Sequence, residues 1–174
     1  FSMCINWCRW WASKFSKKCK KIKLLITDVD GVLTDGGMYY SEKGEVLKKF
    51  NTKDGMGVEI LRNHGIKTVF LTKENSKIAR LRGKKVNADG VYVNIAFKEK
   101  ELLKICKKFN VTPDEIAYIG DDINDIKIIS KVGLSACPND SVKDVKQRSD
   151  YLCKLNGGEG VFGEFVELIL RYQS

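Results

Sequence analysis

Short apolar runs alternate with helical patterns over most of this 174-residue chain. The runs "IKLLIT", "IKTVFLT", "GVYV" and "IAYIG" are separated by segments in which apolar residues repeat at helical spacing. Continuous apolar strands between amphipathic helices are typical of a parallel sheet that is covered on both faces and joined by right-handed crossovers. The sequence therefore predicts one α/β domain built on a doubly wound parallel sheet.

One segment, Gly36 to Gly55, interrupts this alternation. Within it, "MYYS" and "EVLKKF" flank the short polar sequence "EKG", which is a typical pattern for a β-hairpin. The segment is too short to form a second domain. We expect a hairpin that rises as a flap over one edge of the sheet, and no large cap domain.

Polar residues follow the predicted strands at the point where each strand ends. Thr27 and Asp28 end the first, Thr72 ends the second, and "GDD" at 120–122 ends the strand "IAYI". In parallel α/β sheets, ligands bind beyond the carboxyl ends of the strands. We expect these side chains to converge on one rim of the sheet and form the functional site.

The aspartates of this rim pose an electrostatic problem, because closely spaced carboxylates repel one another. Asp28, Asp30 and either Asp121 or Asp122 could together hold Mg²⁺, which prefers oxygen ligands and often also binds substrate phosphate. A bound cation lets the carboxylates stay ionised, and one of them can then attack phosphorus. A solvated acidic turn would explain one such cluster but not two. The only histidine, His64, lies at a predicted helix end, so acid–base chemistry falls to other groups.

The positive charge is concentrated near the start of the chain. The formal net charge is +9, but seven of the 31 basic residues lie in the first 23 positions, which contain no acidic residue. The remainder is nearly neutral, so we predict no nucleic-acid partner. Residues 1–21 read as a basic, Trp-rich amphipathic extension before a domain at residues 22–174. Packing of the extension on its own domain or a neighbour is favoured over contact with an anionic membrane surface.

Neither secretion nor a membrane span is predicted. The extension is too short and too charged to cross a bilayer, and its cations follow its apolar part, the reverse of a secretory signal. The six cysteines form no CxxC pair. We therefore expect reduced cysteines and a cytoplasmic protein.

Four motifs carry a family resemblance. "DVDGVLTDG" resembles the first motif of the haloacid dehalogenase superfamily of phosphohydrolases, and "GDDIND" resembles the fourth. Thr72 matches the hydroxyl of the second motif and Lys98 the lysine of the third, in the order of the family. The resemblance implies a Rossmann-like core in residues 22–174 and a phosphatase that works through an aspartyl phosphate.

The same resemblance assigns roles to the site residues. It implies that Asp28 is the nucleophile and that Asp30 is the general acid and base. It further implies that Asp28, the backbone carbonyl of Asp30, and Asp121 bind Mg²⁺, with Asp122 and Asp125 in support. The chemistry of Thr72 and Lys98 agrees with their places in the second and third motifs. Thr72 can donate a hydrogen bond to a phosphoryl oxygen, and Lys98 can offset negative charge.

A narrower resemblance covers nearly everything after Ile22. "DVDGVLTDGGMYY", "FNTKDGMGVEIL", "AYIGDDINDI" and "GGEGVFGEFVELIL" resemble the small capless branch that dephosphorylates 2-keto-3-deoxy sugar acid phosphates. The resemblance implies a homotetramer in which the hairpins meet at the centre and a neighbour helps to close each site. It also implies that Asp54 lies near the site.

The sequence "TKEN" bears on the choice of sugar. The octulosonate enzymes of this branch usually have arginine where this chain has Glu74, whereas a glutamate there, with basic residues on the next helix, resembles the nine-carbon enzymes. Arg82 and Lys85 stand at suitable positions to bind a substrate carboxylate. We therefore predict a nonulosonate 9-phosphate, either the deaminated (KDN) or the N-acetylneuraminate ester, as substrate, with 3-deoxy-D-manno-octulosonate 8-phosphate as the alternative. Alternatively, Glu74, Arg82 and Lys85 could simply lie on an exposed surface without contacting substrate. Lys73 and Gly163 also depart from the family pattern.

Two other classes of function remain open. The domain could be a catalytically idle assembly module, like those attached to sugar-nucleotide synthetases, or a phospho-acceptor signalling domain. A complete set of chemical groups argues against the idle module: Asp28, Asp30, Thr72, Lys98 and Asp121. The pairing of Asp28 with Asp30 disfavours the signalling domain, which needs no acid or base two residues beyond its acceptor.

Overall fold

A six-stranded sheet forms the centre of the computed structural model, which describes residues 13–173. Its strands lie in the order β5-β4-β1-β6-β7-β8, and every neighbouring pair is parallel. In chain order the strands are β1 (Leu24–Thr27), β2 (Tyr39–Ser41), β3 (Gly44–Leu47), β4 (Lys67–Leu71), β5 (Gly90–Tyr92), β6 (Ile116–Ile119), β7 (Leu134–Cys137) and β8 (Tyr151–Leu152). The order reverses direction on either side of β1, which confirms the predicted doubly wound sheet.

Helices cover both faces of this sheet. They are α1 (residues 13–19), α2 (Thr52–Asn63), α3 (Lys77–Lys85), α4 (Lys98–Phe109), α5 (Ile126–Ile129), α6 (Lys143–Arg148) and α7 (Val161–Gln173). Short 3-10 turns occupy Pro113–Glu115 and Ile123–Asp125. His64 caps the C-terminal end of α2, as the sequence predicts.

Two apolar clusters, one on each face, hold the sheet in place. Leu25 belongs to the cluster that includes Phe162 and Phe165 of α7, whereas Leu24 and Ile26 belong to the cluster that includes residues of α4. Alternate residues of a strand point to opposite faces of the sheet. Because an apolar cluster covers each face, every residue of β1 is buried. Burying one such side chain contributes about 1.5–3 kcal/mol, so β1 is a rigid base for the residues that follow it.

The predicted hairpin consists of β2 and β3, which pair antiparallel and form a separate two-stranded sheet. Several large apolar side chains on it are exposed, among them Tyr39, Tyr40 and Leu47. No large cap domain is present between residues 13 and 173. The hairpin therefore stands above the carboxyl edge of the main sheet with little apolar packing of its own.

The last part of the basic extension packs against the domain. Residues 1–12 lie outside the described residues, so the amphipathic character of the Trp-rich part stays a prediction. In α1, Phe15 is buried, and its ring lies 6.0 Å from that of Tyr151 and 5.7 Å from that of Tyr172. Lys18 forms an ion pair with Asp150. Over the described residues, no helix combines the length and apolar character needed to cross a membrane.

Candidate active site

The ends of three parallel strands bring the candidate residues to one edge of the sheet. The ladder continues past β1, because the Asp28 N–H donates to the Ile119 carbonyl at 3.0 Å. Beyond β4, the Thr72 N–H donates to the Tyr92 carbonyl at 2.9 Å. An open cavity of about 280 Å³ lies at this edge. Its lining includes Asp28, Asp30, Thr72, Lys73, Glu74, Asp121 and Asp122.

Lys98 is a buried cation behind Asp28, which lines the cavity. Its Nζ lies 2.6 Å from Asp28 Oδ2 and 2.7 Å from Asp125 Oδ1, and its side chain is 1% exposed. Burial alone would lower the pKa of this lysine, but the charges of Asp28 and Asp125 outweigh it and raise the pKa. Lys98 therefore stays protonated and fixes the orientation of the Asp28 carboxylate.

Asp125 organises the loop after β6. Its Oδ1 accepts hydrogen bonds from Lys98 and from the Tyr118 hydroxyl, and its Oδ2 accepts from the N–H groups of Asp121 and Asp122. Both oxygens are thus engaged, which fits the supporting role predicted for this residue. Tyr118 was missed by the sequence analysis, since a tyrosine in an apolar strand carries no signal that distinguishes it from an ordinary core residue.

Three carboxylates crowd the cavity floor. Oxygens of Asp28, Asp121 and Asp125 all lie within 4.8 Å of one another. Burial, opposed by Lys98 and aided by Asp125, raises the pKa of Asp28 to about 7. Burial and the charges of Asp28 and Asp125 raise the pKa of Asp121 to about 8. Full ionisation of this group at neutral pH therefore requires a further positive charge.

The donor set fits a hard divalent cation. Asp121 Oδ1 is buried and has no hydrogen-bond partner among the described residues. Such an orphaned oxygen beside Asp28 is the kind of ligand that Mg²⁺ takes. The structure thus supports the predicted magnesium cofactor, which the carboxylates of Asp28 and Asp121 could hold. The carboxylate of Asp30 does not belong to this acidic cluster, and metal binding through its backbone carbonyl stays a prediction from the resemblance.

Asp30 has a different environment from Asp28. Its Oδ1 is paired with Lys48, which follows strand β3 of the hairpin, and its Oδ2 lies 3.5 Å from Thr72 Oγ1. Burial alone would lower the pKa of Lys48, but hydrogen bonds to Asp30 and Glu45 outweigh it and raise the pKa. Lys48 was not among the residues predicted for the site. Strand alternation is the one signal that could have separated it from Lys49.

Two glycines allow the close packing of the loops around Asp28. Gly31 has φ +80°, and a Cβ there would lie 2.0 Å from Asp121 Oδ2. Gly157, near the end of the chain, packs so closely that its Cβ would lie 2.1 Å from the Gly31 carbonyl oxygen. The next residue, Gly158, donates its N–H to the Val32 carbonyl at 2.9 Å. The C-terminal "GGEG" segment therefore supports the catalytic loop through its backbone.

The residues predicted to bind the sugar do not all reach the cavity. Glu74 lines it, as does Lys73. Arg82 instead donates to the Asn51 carbonyl at 2.9 Å and lies over the Phe50 ring at 5.2 Å. Lys85 is exposed at the end of α3 and does not line the cavity. Contact of Arg82 or Lys85 with substrate stays a prediction that the arrangement within one chain does not favour.

Asp54 also lies away from the cavity. Its Oδ1 accepts the N–H of Gly163 at 3.1 Å, at the N-terminal end of α7. Burial outweighs this hydrogen bond and raises the pKa of Asp54 to about 6. The carboxylate therefore joins α2 to α7, and substrate contact by Asp54 stays a prediction. Gly163 serves the same junction.

Comparison with known proteins agrees with this geometry. A family model described as haloacid dehalogenase-like hydrolase matches residues 58–165. The 3-deoxy-D-manno-octulosonate 8-phosphate phosphatase of Haemophilus influenzae is 35% identical over 157 residues, which cover 90% of this chain and 87% of that protein.

Solved structures show the same similarity. The cobalt-bound phosphatase of Haemophilus influenzae for the same ester superposes with a TM-score of 0.88 at 35% identity, covering 90% of this chain and 91% of that one. The Moraxella catarrhalis 3-deoxy-D-manno-octulosonate 8-phosphate phosphatase, in complex with magnesium, phosphate and the sugar acid, gives a TM-score of 0.88 at 32% identity and covers 92% of each chain.

Proposed function

The chain belongs to the haloacid dehalogenase-like hydrolases and is a phosphoric monoester hydrolase, and on this premise we propose that its substrate is 3-deoxy-D-manno-octulosonate 8-phosphate. The observation that carries the proposal is the buried Asp28–Lys98–Asp121 site in a chain 35% identical, over 90% of its length, to a phosphatase of that ester. The relatives described above favour this eight-carbon ester, the alternative in the sequence analysis, over the nonulosonate ester predicted there.

The two motif aspartates divide the reaction between them. Asp28 attacks phosphorus, the bond from phosphorus to the sugar oxygen breaks, and Asp30 gives its proton to the departing oxygen. Asp30 then takes a proton from water, whose oxygen attacks the phosphorus and releases Asp28 together with inorganic phosphate. Thr72 donates a hydrogen bond to a phosphoryl oxygen, and Lys98 keeps the Asp28 carboxylate in line.

Magnesium would be held by Asp28, Asp121 and the backbone carbonyl of Asp30. When bound, it supplies the positive charge that offsets the phosphoryl oxygens and the neighbouring carboxylates. Asp125 holds the N–H groups of the loop that carries Asp121, and Asp122 caps the turn that follows by accepting from Ile123 N at 2.7 Å. These two residues therefore keep the metal ligands in position.

The sugar would bind above this floor. Glu74 is placed to accept hydrogen bonds from sugar hydroxyls, because it lines the cavity. Lys73 is the cation that lines the same cavity among the described residues, and it is suited to a substrate carboxylate. A nonulosonate 9-phosphate is the second candidate, since a glutamate at position 74 is the feature that resembles the nine-carbon enzymes.

The exposed hairpin supports a proposed homotetramer. An isolated two-stranded sheet is marginal in water, and the exposed Tyr39, Tyr40 and Leu47 offer apolar surface for a second copy. A neighbour packed there would help to exclude water from the site. Sedimentation of the wild type and of Tyr40→Ser tests this: a tetramer that dissociates in the variant supports it, and a wild-type monomer contradicts it. A cytoplasmic location also stays a proposal.

A direct assay tests the substrate. The purified chain is incubated with the eight-carbon ester, the nine-carbon ester and p-nitrophenyl phosphate, each with Mg²⁺ and with chelator, and Asp28→Asn serves as the inactive control. We expect metal-dependent release of phosphate, fastest from the octulosonate ester. Faster release from the nonulosonate ester would favour the second candidate. No release from any ester would favour the idle assembly module.

A further inference from the structure

Lys48 makes the closest contact to the carboxylate of Asp30. Its Nζ pairs with Asp30 Oδ1, whereas the other contact of that carboxylate, with Thr72 Oγ1, is long at 3.5 Å. Asp30 keeps 21% of its side-chain exposure and lines the open cavity, so packing leaves one side of this residue uncovered. The orientation of Asp30 therefore depends on a residue of the hairpin.

Lys48 is unusual among the charged residues of the hairpin because its side chain is 0% exposed. Lysine is almost never fully buried unless it is paired, and here it has two partners, Asp30 and Glu45, the second at 2.5 Å. The adjacent Lys49 points the other way, is 69% exposed, and lies 3.7 Å from Asp35. Strand alternation thus directs one lysine of the pair into the site and the other into solvent.

Glu45 extends this contact to the main domain. Its Oε2 accepts a hydrogen bond from Ser76 Oγ at 2.7 Å, and Ser76 in turn caps α3 by accepting from the Ala79 N–H at 3.2 Å. The sequence of contacts runs from Asp30 through Lys48 and Glu45 to the start of α3. The ammonium group of Lys48 is therefore held by Glu45 of the hairpin and by Asp30 of the loop after β1.

We propose that Lys48 is a positioning residue that orients the Asp30 carboxylate for proton transfer and links this orientation to the seating of the hairpin. The proposal rests on the acid–base role of Asp30 given above. Proton transfer requires the acid to lie within hydrogen-bond reach of the leaving oxygen, so an Asp30 free to rotate toward solvent transfers its proton more slowly. Lys48 acts through Asp30 and needs no contact with substrate.

The test combines Lys48→Met, Lys48→Arg and the control Lys49→Met with the same changes in an Asp30→Asn background. Rates are measured with Mg²⁺ on the octulosonate ester and on p-nitrophenyl phosphate, whose good leaving group keeps the Asp30→Asn rate measurable. We expect Lys48→Met to lower kcat roughly 10- to 100-fold with KM changed less than about threefold, while Lys49→Met stays within about twofold of wild type. Lys48→Arg, which retains the charge, should recover part of the loss.

The Asp30→Asn background decides between positioning and a merely structural role. If Lys48 acts through Asp30, Lys48→Met should change the rate of Asp30→Asn less than about twofold. A full further loss in that background, a rise in KM at constant kcat, or wild-type activity in Lys48→Met would each overturn the proposal. If Lys48→Met fails to fold by circular dichroism, the same comparison is made with Lys48→Gln, which also removes the charge. Activity on p-nitrophenyl phosphate without activity on the octulosonate ester would refute the proposed sugar and leave the Lys48 test intact.

Discussion

At the strand ends, Lys98 lies between Asp28 and Asp125, and in the hairpin, Lys48 lies between Asp30 and Glu45. Both lysines have a side chain with almost no solvent exposure and two carboxylate partners, and each contacts one aspartate of the motif "DVD". The partners of Lys98 are themselves buried beside the core, whereas Asp30 and Glu45 keep 21% and 16% of their side-chain exposure. The same local chemistry is thus supported by the core in one region and mainly by ion pairs in the other.

Removing the carboxylate that Lys98 holds should have the largest effect on activity. Asp28→Asn deletes the nucleophile, so we expect turnover to fall on the order of 10⁴-fold or more. The melting temperature should not fall, because burial already raises the pKa of Asp28 to about 7 and so favours an uncharged group there. Asp35→Asn, on the same loop but exposed, serves as the control. Substantial metal-dependent turnover by Asp28→Asn would disprove the nucleophile assignment.

Removing each lysine should separate the two regions by stability. Lys98→Met leaves two buried carboxylates without their cation, which we expect to cost about 3–5 kcal/mol in the free energy of unfolding. Lys48→Met should cost less, because its partners can regain water. Urea unfolding measures both, with Lys100→Met as control, since Lys100 is exposed and lies 4.4 Å over the Phe97 ring. Equal losses in the free energy of unfolding for Lys98→Met and Lys48→Met would contradict the proposed difference between the two regions.

Asp54 provides a buried carboxylate that is held by backbone N–H groups. Its pKa is raised from 3.8 to about 6, so the folded state binds the proton more tightly than the unfolded state. The contribution of Asp54 to stability is therefore fully present below pH 4 and is lost as the pH rises from about 4 to about 6, by on the order of 3 kcal/mol. Asp54→Asn, which cannot ionise, should lack this fall. Urea unfolding at pH 4, 5, 6 and 7 measures the difference, and parallel curves for the two proteins would contradict it.

The smallest effect is expected at the exposed side of the hairpin. Leu47→Ser replaces a side chain that is 62% exposed, so unfolding of the dilute, dissociated chain should change by less than about 0.5 kcal/mol. At high protein concentration, the proposed tetramer should stabilise the wild type more than this variant. A loss above about 1 kcal/mol at dilution would show that Leu47 packs within its own chain.

Sequence alone predicted the region that the core supports. The strands and the residues that follow them, Asp28, Thr72 and Asp121, could be placed because apolar runs determine where a parallel sheet ends and its carboxyl ends share one edge. Lys98 required the family resemblance, since a lysine at a helix start has no distinguishing pattern. The existence of the hairpin was also predicted correctly from turn residues between two apolar strands.

The turn after β6 and the directions of the Arg82 and Lys48 side chains depend on tertiary contacts that no local sequence pattern indicates. After β6 the chain first forms a 3-10 turn at Ile123–Asp125, because the Asp122 and Asp125 side chains accept hydrogen bonds from N–H groups there. Substrate contact by Arg82 stays a prediction, and helical spacing does not reveal that this face of α3 meets Phe50. The inward direction of Lys48 likewise depends on how the hairpin is seated.

The close packing of Gly157 on the Gly31 carbonyl has a consequence for the order of assembly. The loop that carries Asp28 is made well before the backbone that supports it, because Gly157 lies more than 100 residues further along the chain than Gly31. Contacts between segments so distant in sequence form late, because a long loop must close first. We expect a growing chain on the ribosome to bury β1 before the segment that carries Gly157 is available, so the Asp28 loop gains this support only after the strands of the sheet have been made.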